Sequence, residues 1–502
     1  MLLEHGSRCW SVGKAGHAAI LIDVEAYFNA AVEVMSSASR SIHFLNWAFE
    51  PQTRLRPGAK DEDIATEDIA RFLKRLADER PTLDVRLLCW QSALPVAATQ
   101  KFFPLLDRGV FVGSRVKFVL DGKLPTGASH HQKAIIVDDA IAFCGGADVG
   151  QDRWDTSRHL DDDPRRMKNR HRHGFFTSRH EVMAIVDGEP AAALGELFRR
   201  RWQRCVGESL DTPEQIPGEW PTGVSAAFHD VRVGLSRTVG AWRREPEVRE
   251  CEALHLASIA AAKHCIYMEN QYFTSEVMAE ALARRLGEAA GPDVILISTG
   301  KSPSYFDQLT MDPTRSRFIE RLKAADRFGR FQMYSPVTTL GRDIIVHAKI
   351  AVIDDRLVRI GSANMNNRSF GFDTECDISL EAEDAAGGST AEAIGRLRTD
   401  LLAHWLGCTR EVVETAVLRE GGVCRGVESL REAGYTRLRP IAPQVLGPLK
   451  AVIAALHIGD PMSPRDSFKP WKRRQALAQR REMAGLGLSG TGVTPGRGES
   501  PR

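Results

Sequence analysis

A chain of 502 residues has room for two or three domains with sizeable cores, and 43% hydrophobic with 26% charged residues describes an ordinary soluble globular protein. The formal charge of +2 leaves no global electrostatic preference for nucleic acid or anionic membranes. Nine cysteines stand singly with no Cys-x-x-Cys pair, which reads as reduced thiols rather than a disulfide framework or a cysteine zinc site.

The opening "MLLEHGSRCWSVGKAGH" lacks a basic segment followed by an apolar core, so no secretory signal is expected. No apolar run approaches the ~18 residues of a membrane span. The expected location is cytoplasmic or peripheral to a membrane, with signal-independent export left open. In chain order, "SIHFLNWAFEP" (41–51) reads as an apolar strand with a polar and aromatic tip, and "IATEDIARFLKRLADER" (64–80) as a helix. Then comes "SHHQKAIIVDD" (129–139). Ala134, Ile135, Ile136 and Val137 suit a strand buried on both faces, yet His131 and Lys133 stand at its mouth and Asp138 at its far end.

"HLDDDPRRMKNRHRHG" (159–174) is polar with no apolar period and reads as an inserted loop, its His159, His171 and His173 solvated rather than liganding. "ALGELFRRRWQRC", carrying Trp202, closes the first half as an amphipathic helix. The Pro-, Gly- and acid-rich "GESLDTPEQIPGEWPTG" falls in a linker over 207–227. The same series of elements then recurs: a strand in "DVRVGLSRT", another in "CIYMENQYFTS" (265–275), a helix in "SEVMAEALARRLGEAAG", then "VHAKIAVIDD" (346–355), and a closing helix with Trp405. The division is a first half over 1–206, the linker, a second half over 228–440 and an extension over 441–502, basic and mostly disordered after about 460.

The repeat of His-x-Lys-x4-Asp is the informative feature. His131, Lys133 and Asp138 recur as His347, Lys349 and Asp354, and Asp148 and Asn364 sit at the same offset as the histidines. With 15 histidines and 15 lysines, one such pattern arises by chance roughly 0.03 times in the chain, so two are a signal. Taken singly, either histidine would more often be structural. Lysine is also scarce beside 52 arginines, which makes Lys133 a less incidental charge.

Residues two apart on a strand share a face, so each histidine projects with its lysine while the aspartates, of opposite parity, point elsewhere. Two His/Lys pairs at one interface suit a phosphodiester. Lysines hold the anionic oxygens, one neutral imidazole attacks phosphorus, and the other, protonated, donates to the leaving oxygen. Metal catalysis fits less well, because a lysine beside each histidine repels a divalent cation and no carboxylate stands at ligand spacing.

These motifs, each followed by a Gly-Gly or Gly-Ser turn, resemble the paired signatures of the phospholipase D superfamily, and "ENQYF" (269–273) and "GSANMNNRSFGFDTE" (361–375) resemble its second half. "GGADVGQDRWDT" (145–156) resembles a stretch of its phospholipid-cleaving members. The likeness covers most of residues 20 to 410. It implies two tandem homologous α/β domains, each with a mixed central sheet flanked by helices, and an active site at their interface. It implies a covalent phosphohistidine on His131 with His347 as acid and base, and neither metal nor cofactor. Lys133, Lys349 and Asn364 would hold phosphoryl oxygens, and Glu375 and Glu181 would orient the histidines. Asp138, Asp354 and Ser362 would be structural, and so would Asp148, whose carboxylate must turn away from an anionic substrate and leaves the site asymmetric.

Within that family the expectation is a phospholipase D acting on phospholipid at a membrane surface, with transfer to an alcohol as a side reaction and a cardiolipin synthase as the alternative. A nuclease or a membrane-binding pseudoenzyme ranks lower: only the tail is clearly basic and both His/Lys pairs are intact. No nucleic-acid partner is expected, and a monomer suffices because one chain carries both motifs. Trp47, Phe49, Tyr272, Phe273 and Trp471 are candidate bilayer contacts, the first four more readily core or site wall.

Overall fold

A computed structural model of the chain describes residues 1–92, 104–166, 174–214, 216–383 and 388–483. The apolar runs after the two motif lysines become central strands, β5 (Ala134–Val137) and β15 (Ile350–Ile353), buried at every position. The first half also forms β1 (Ser11–Ile22), β2 (Ser41–Asn46), β3 (Asp84–Trp90), β4 (Lys117–Asp121), β6 (Ile141–Gly145), β7 (Arg179–His180) and β8 (Val182–Asp187). The second contributes β9 (Phe228–Val239), β10 (Val248–Arg249), β11 (Cys265–Glu269), β12 (Asp293–Ile297), β13 (Phe331–Pro336), β14 (Ile345–Val346), β16 (Leu357–Gly361), β17 (Glu375–Glu381) and β18 (Leu438–Pro440).

All but β7 and β14 belong to one mixed sheet, sixteen strands among the described residues. From edge to centre the first half runs β4-β3-β2-β5-β6-β8-β1, and the second repeats it from the opposite side as β13-β12-β11-β15-β16-β17-β9, with β18 on the far edge. The join is the long antiparallel pair β1–β9, from Ser11 opposite Leu235 to Ala18 opposite Phe228. Each repeat has three parallel strands on the outside and antiparallel pairs within, so the motif strands β5 and β15 lie well inside their halves.

Helices cover both faces. Glu189–Val206 and Ser389–Leu406 bring Phe198, Trp202, Leu402 and Trp405 into a core shared by both halves. On the opposite face Asp23–Ser36 and Ile69–Glu79 cover the first half, and Glu250–Ala261, Glu276–Leu286 and Tyr305–Ala325 the second. The helix expected over 64–80 is divided: Asp68 adopts extended backbone and caps the second segment by accepting the Arg71 N–H at 2.8 Å. The described residues between Gly207 and Ala227 form neither helix nor strand.

Two expectations are corrected here. The extension is ordered through Met483: Arg473–Met483 is a helix, Arg480 pairs with the buried Glu252, and Arg481 reaches Glu276 at 3.0 Å. Asp460, fully buried, accepts the backbone N–H groups of Asn367 and Arg368, so this segment ties down the second half instead of trailing from it. His159 is not solvated either. It is buried against Trp405, whose ring it stacks on at 5.7 Å, with Asp155 on its Nδ1 at 3.0 Å. His171 and His173 lie outside the described residues. Among the described residues no helix is long and apolar enough to cross a membrane.

Candidate active site

The motif aspartates sit where β5 and β15 end, each in a left-handed turn, with φ of 55° at Asp138 and 51° at Asp354. Asp138 accepts the backbone N–H groups of Ser39, Arg40 and Ser41 at 2.7–2.8 Å, and Asp354 those of Lys263, His264 and Cys265 at 2.8 Å. Each carboxylate pins the chain as it enters the neighbouring strand, β2 or β11. Both aspartates are far from the histidines' end of their strands.

At that other end His131 and His347 sit just ahead of β5 and β15, and the backbone that places them comes from the opposite half. The His131 N–H donates to the carbonyl of Thr374 at 2.9 Å, and the His347 N–H to that of His180 at 2.8 Å. The residue after each acceptor is a glutamate. Glu375 therefore meets His131 Nδ1 at 2.9 Å, and Glu181 meets His347 Nδ1 at 2.7 Å. The pairing is crosswise, each imidazole of one half held by a carboxylate of the other. With Nδ1 so engaged, Nε2 is the nitrogen left for a substrate.

Lys133 and Lys349 are buried, and each donates to the carbonyl oxygen of its own motif histidine, at 2.8 and 2.5 Å. Burial pushes both imidazoles well below their ordinary range, and each feels both lysine charges, so the two motifs share one site. Burial also lowers Lys349 to about 7, helped by Lys133 and Arg179 and opposed by Glu181 and Glu375. The closeness of the halves shows at Gly146, where a Cβ would stand 2.9 Å from Glu181 Oε2 and 3.0 Å from the His347 carbonyl oxygen. Only glycine fits there.

The turns after the motifs differ. Asp148 Oδ1 accepts the N–H groups of Trp47 and Ala48 at 2.9 and 3.1 Å, and Oδ2 stands 3.4 Å from Lys133 Nζ. Asn364, at the equivalent position, has a buried Oδ1 with no hydrogen-bond partner among the described residues. Ser362, the counterpart of Gly146, donates its hydroxyl to Glu375 Oε2. Around Glu181 the neighbours are cations: Arg179 Nη1 at 4.0 Å, with Arg153 and Lys349 acting on the carboxylate.

Two imidazoles and two ammonium groups gather where the halves meet, side chains whose chemistry suits an anionic phosphoryl group. The family described as "Cardiolipin synthase, PLD-like domain" matches residues 256–395, around the second motif. Phospholipase D1 of Schizosaccharomyces pombe is 24% identical over 403 residues, covering 61% of this chain and 29% of that protein. A cardiolipin synthase of Geobacillus sp. (strain WCH70) is 25% identical over 270 residues, 54% of this chain and 46% of that one.

Over residues 256–395 the chain carries a phospholipase D-like domain.

It spans less than half the length of these curated relatives. Among solved structures, the phosphatidylserine synthase of Haemophilus influenzae Rd KW20 superposes with a TM-score of 0.52 at 13% identity, over 94% of this chain and 95% of that one. The fold is therefore shared along nearly the whole chain.

Sequence reasoning missed Arg153 and Arg179, whose charges act on His347. Arg179 stands two residues before Glu181, and a look for cations beside the orienting carboxylates would have found it. Trp47 also joins the site, its ring edge-on to His131 at 6.5 Å and stacked on Trp90 at 5.6 Å. Phe49 and Phe273 are fully buried and cannot touch a bilayer, while Trp471 is 68% exposed.

Proposed function

We propose that this chain breaks the head-group phosphodiester of a glycerophospholipid through a covalent phosphohistidine and passes the phosphatidyl group to water. The observation that carries the reading is the crosswise pair of His–Glu contacts closing on two buried lysines. His131 Nε2 attacks phosphorus, forming a P–N bond as the P–O bond to the head-group alcohol breaks. His347 gives its proton to the departing oxygen. It then takes one from the incoming hydroxyl, whose oxygen displaces His131. Glu375 holds the Nδ1 proton of His131 and, with Asp148 and Asp373 nearby, offsets the positive charge the ring carries in the adduct. Lys133, Lys349 and Asn364 bind the phosphoryl oxygens.

A second reading, in which a lipid hydroxyl intercepts the intermediate and cardiolipin forms, is favoured by the family matched at residues 256–395 and by the Geobacillus relative. Vesicles containing phosphatidylglycerol and phosphatidylethanolamine, with and without butanol, separate the two by mass spectrometry of the products. Phosphatidic acid, diverted to phosphatidylbutanol by the alcohol, supports hydrolysis through the adduct. Cardiolipin growing from phosphatidylglycerol supports the transferase. Neither product, from a folded protein with intact motifs, sinks the lipid reading.

A further inference from the structure

We propose that Asp23, His159, His180 and His404 bind a divalent transition-metal ion, zinc by the chemistry of its donors, as a structural clasp between the two halves. This goes beyond the proposed function and does not depend on it. The four residues come from separate segments: the first residue of helix Asp23–Ser36, the loop after the first motif, strand β7, and the last turn of helix Ser389–Leu406. One donor atom from each lies within 4.8 Å of all the others, and Asp23, His159 and His180 are buried.

The spacing suits a tetrahedral ion. His159 Nε2 and His404 Nε2 are 3.3 Å apart, and Asp23 Oδ2 is 3.6 Å from His159 Nε2. Zinc–ligand bonds of about 2.0–2.1 Å give tetrahedral edges of roughly 3.3–3.4 Å. Two of the histidines also carry the outer contacts of metal ligands. His159 Nδ1 faces Asp155 Oδ2 at 3.0 Å, and His180 Nε2 faces Glu269 Oε2 at 2.8 Å. Glu269 is itself fixed by the Tyr267 hydroxyl and, at 2.8 Å, by the Trp405 indole N–H. A carboxylate on the far nitrogen sets the tautomer and turns the other nitrogen inward.

A closed network of ion pairs is the competing account, and the inner atoms argue against it. Two imidazole nitrogens turned toward each other can share one proton at most. Asp23 Oδ2 is buried and has no hydrogen-bond donor among the described residues. A cation satisfies all three inward-facing atoms at once, where protons leave at least one without a partner. The objection that lysines repel a metal applies to the two motif histidines; the charged groups meeting this cluster's ligands in ion-pair range are carboxylates. The clasp would join Asp23, His159 and His180 of the first half to His404 of the second. It would also hold the strand whose His180 carbonyl receives the N–H groups of His347 and Ala348 at 2.8 and 3.1 Å.

The test uses the untagged full chain, expressed with zinc in the medium and dialysed. Elemental analysis is expected to find one zinc per chain. Chelation should lower the melting temperature, and cobalt added to the stripped protein should give the visible absorption of a tetrahedral site. His404→Ala, at the least buried ligand, and His159→Gln should each lower cobalt affinity at least about tenfold and abolish the chelator's effect on melting. Retained tetrahedral cobalt in both variants places the metal elsewhere and overturns the proposal. So does wild-type protein with under about 0.1 equivalent of zinc, no cobalt uptake and no chelator effect, even if both variants fail to fold.

Discussion

His131 and His347 occupy equivalent places in a duplicated scaffold, yet their surroundings have opposite character. Beside His131 stand the carboxylates of Glu375, Asp148 and Asp373, and Glu375 takes a hydroxyl from Ser362. Beside His347 the Glu181 carboxylate stands among Lys349, Arg179 and Arg153, and Gly146, at the position Ser362 takes in the other half, offers no hydroxyl. The shared features are backbone features: the aspartate at the strand end, the crosswise acceptor carbonyl, the glutamate after it. The differing features are side-chain charges. The repeat shares the frame and differs in the electrostatics: burial and the lysines lower both imidazoles, but at His131 the carboxylates of Asp148 and Asp373 oppose that shift, while at His347 Arg179 and Arg153 add to it.

Removing either imidazole is the largest perturbation. His131→Ala and His347→Ala should each lower turnover by at least about 10³-fold, with melting temperatures close to the parent. A phosphodiester with an activated leaving group separates their roles, because it needs no acid to depart. His347→Ala should still accumulate an adduct on His131, seen by peptide mass spectrometry, and His131→Ala should form none. An adduct on His347 would reverse the assignment.

Next come the crosswise carboxylates. Glu375→Gln and Glu181→Gln should each cost on the order of 10²–10³-fold, since the amide can no longer fix or stabilise the Nδ1 proton. The steps differ: Glu375→Gln slows formation of the adduct, and Glu181→Gln slows its release. Single-turnover kinetics with the activated substrate distinguish them. Equal slowing of both steps in both variants would mean that the carboxylates do not divide the work as the two histidines do.

The strand-end aspartates probe the frame itself. Asp138 is buried and Asp354 only partly so, though each accepts three backbone N–H groups. Asp138→Ala should cost about 3 kcal/mol and Asp354→Ala about 1–2 kcal/mol, because water replaces the lost acceptor more easily at the half-buried site. Urea unfolding of the two variants checks the order, and a larger cost at Asp354 would contradict it.

Much of this was legible in the residues, for identifiable reasons. The motif strands could be read because Ala134–Val137 and Ile350–Ile353 are short apolar runs with a charged pair at one end, a contrast no chance stretch supplies twice. The two glutamates could be named. That each would serve the other half's histidine could not, because the crossing follows from β7 pairing with β14 and from the His130–Thr374 bridge, contacts between residues more than 160 apart. His159 looked solvated because its neighbours in sequence are polar, but the ring of Trp405 covers it from far along the chain. The tail looked disordered on composition alone. One buried carboxylate, Asp460, meeting free N–H groups at the start of helix Asn367–Gly371, outweighs that composition.

The charge on Lys349 gives a smaller, pH-dependent effect. Lys349, lowered to about 7, is protonated below that pH and loses its charge above it. Phosphate binding that depends on it is therefore present on the acid side and lost as pH rises. KM should climb by up to about tenfold per pH unit above 7, while kcat changes less because a bound anion restores the proton. Lys349→Arg, which keeps its charge, should remove that limb from the KM profile. A limb unchanged in the variant would assign it to another group.

The finest test makes the two turns alike. Asp148→Asn puts in the first half the residue that Asn364 provides in the second. The amide oxygen can still accept the Trp47 and Ala48 N–H groups, so the turn keeps its shape. What changes is the atom 3.4 Å from Lys133 Nζ: a carboxylate oxygen becomes an amide nitrogen, which releases the lysine and removes a negative charge from beside the phosphate. Substrate binding should tighten by about two- to fivefold. The same charge also steadies the cationic ring of the His131 adduct, so adduct formation should slow by a similar factor. Tighter binding with a slower first step is the signature of a carboxylate kept for the intermediate at the expense of the ground state. If binding tightens and the first step holds its rate, Asp148 is only the Lys133 anchor, and the difference between the two histidine settings rests on Glu375, Asp373 and the arginines.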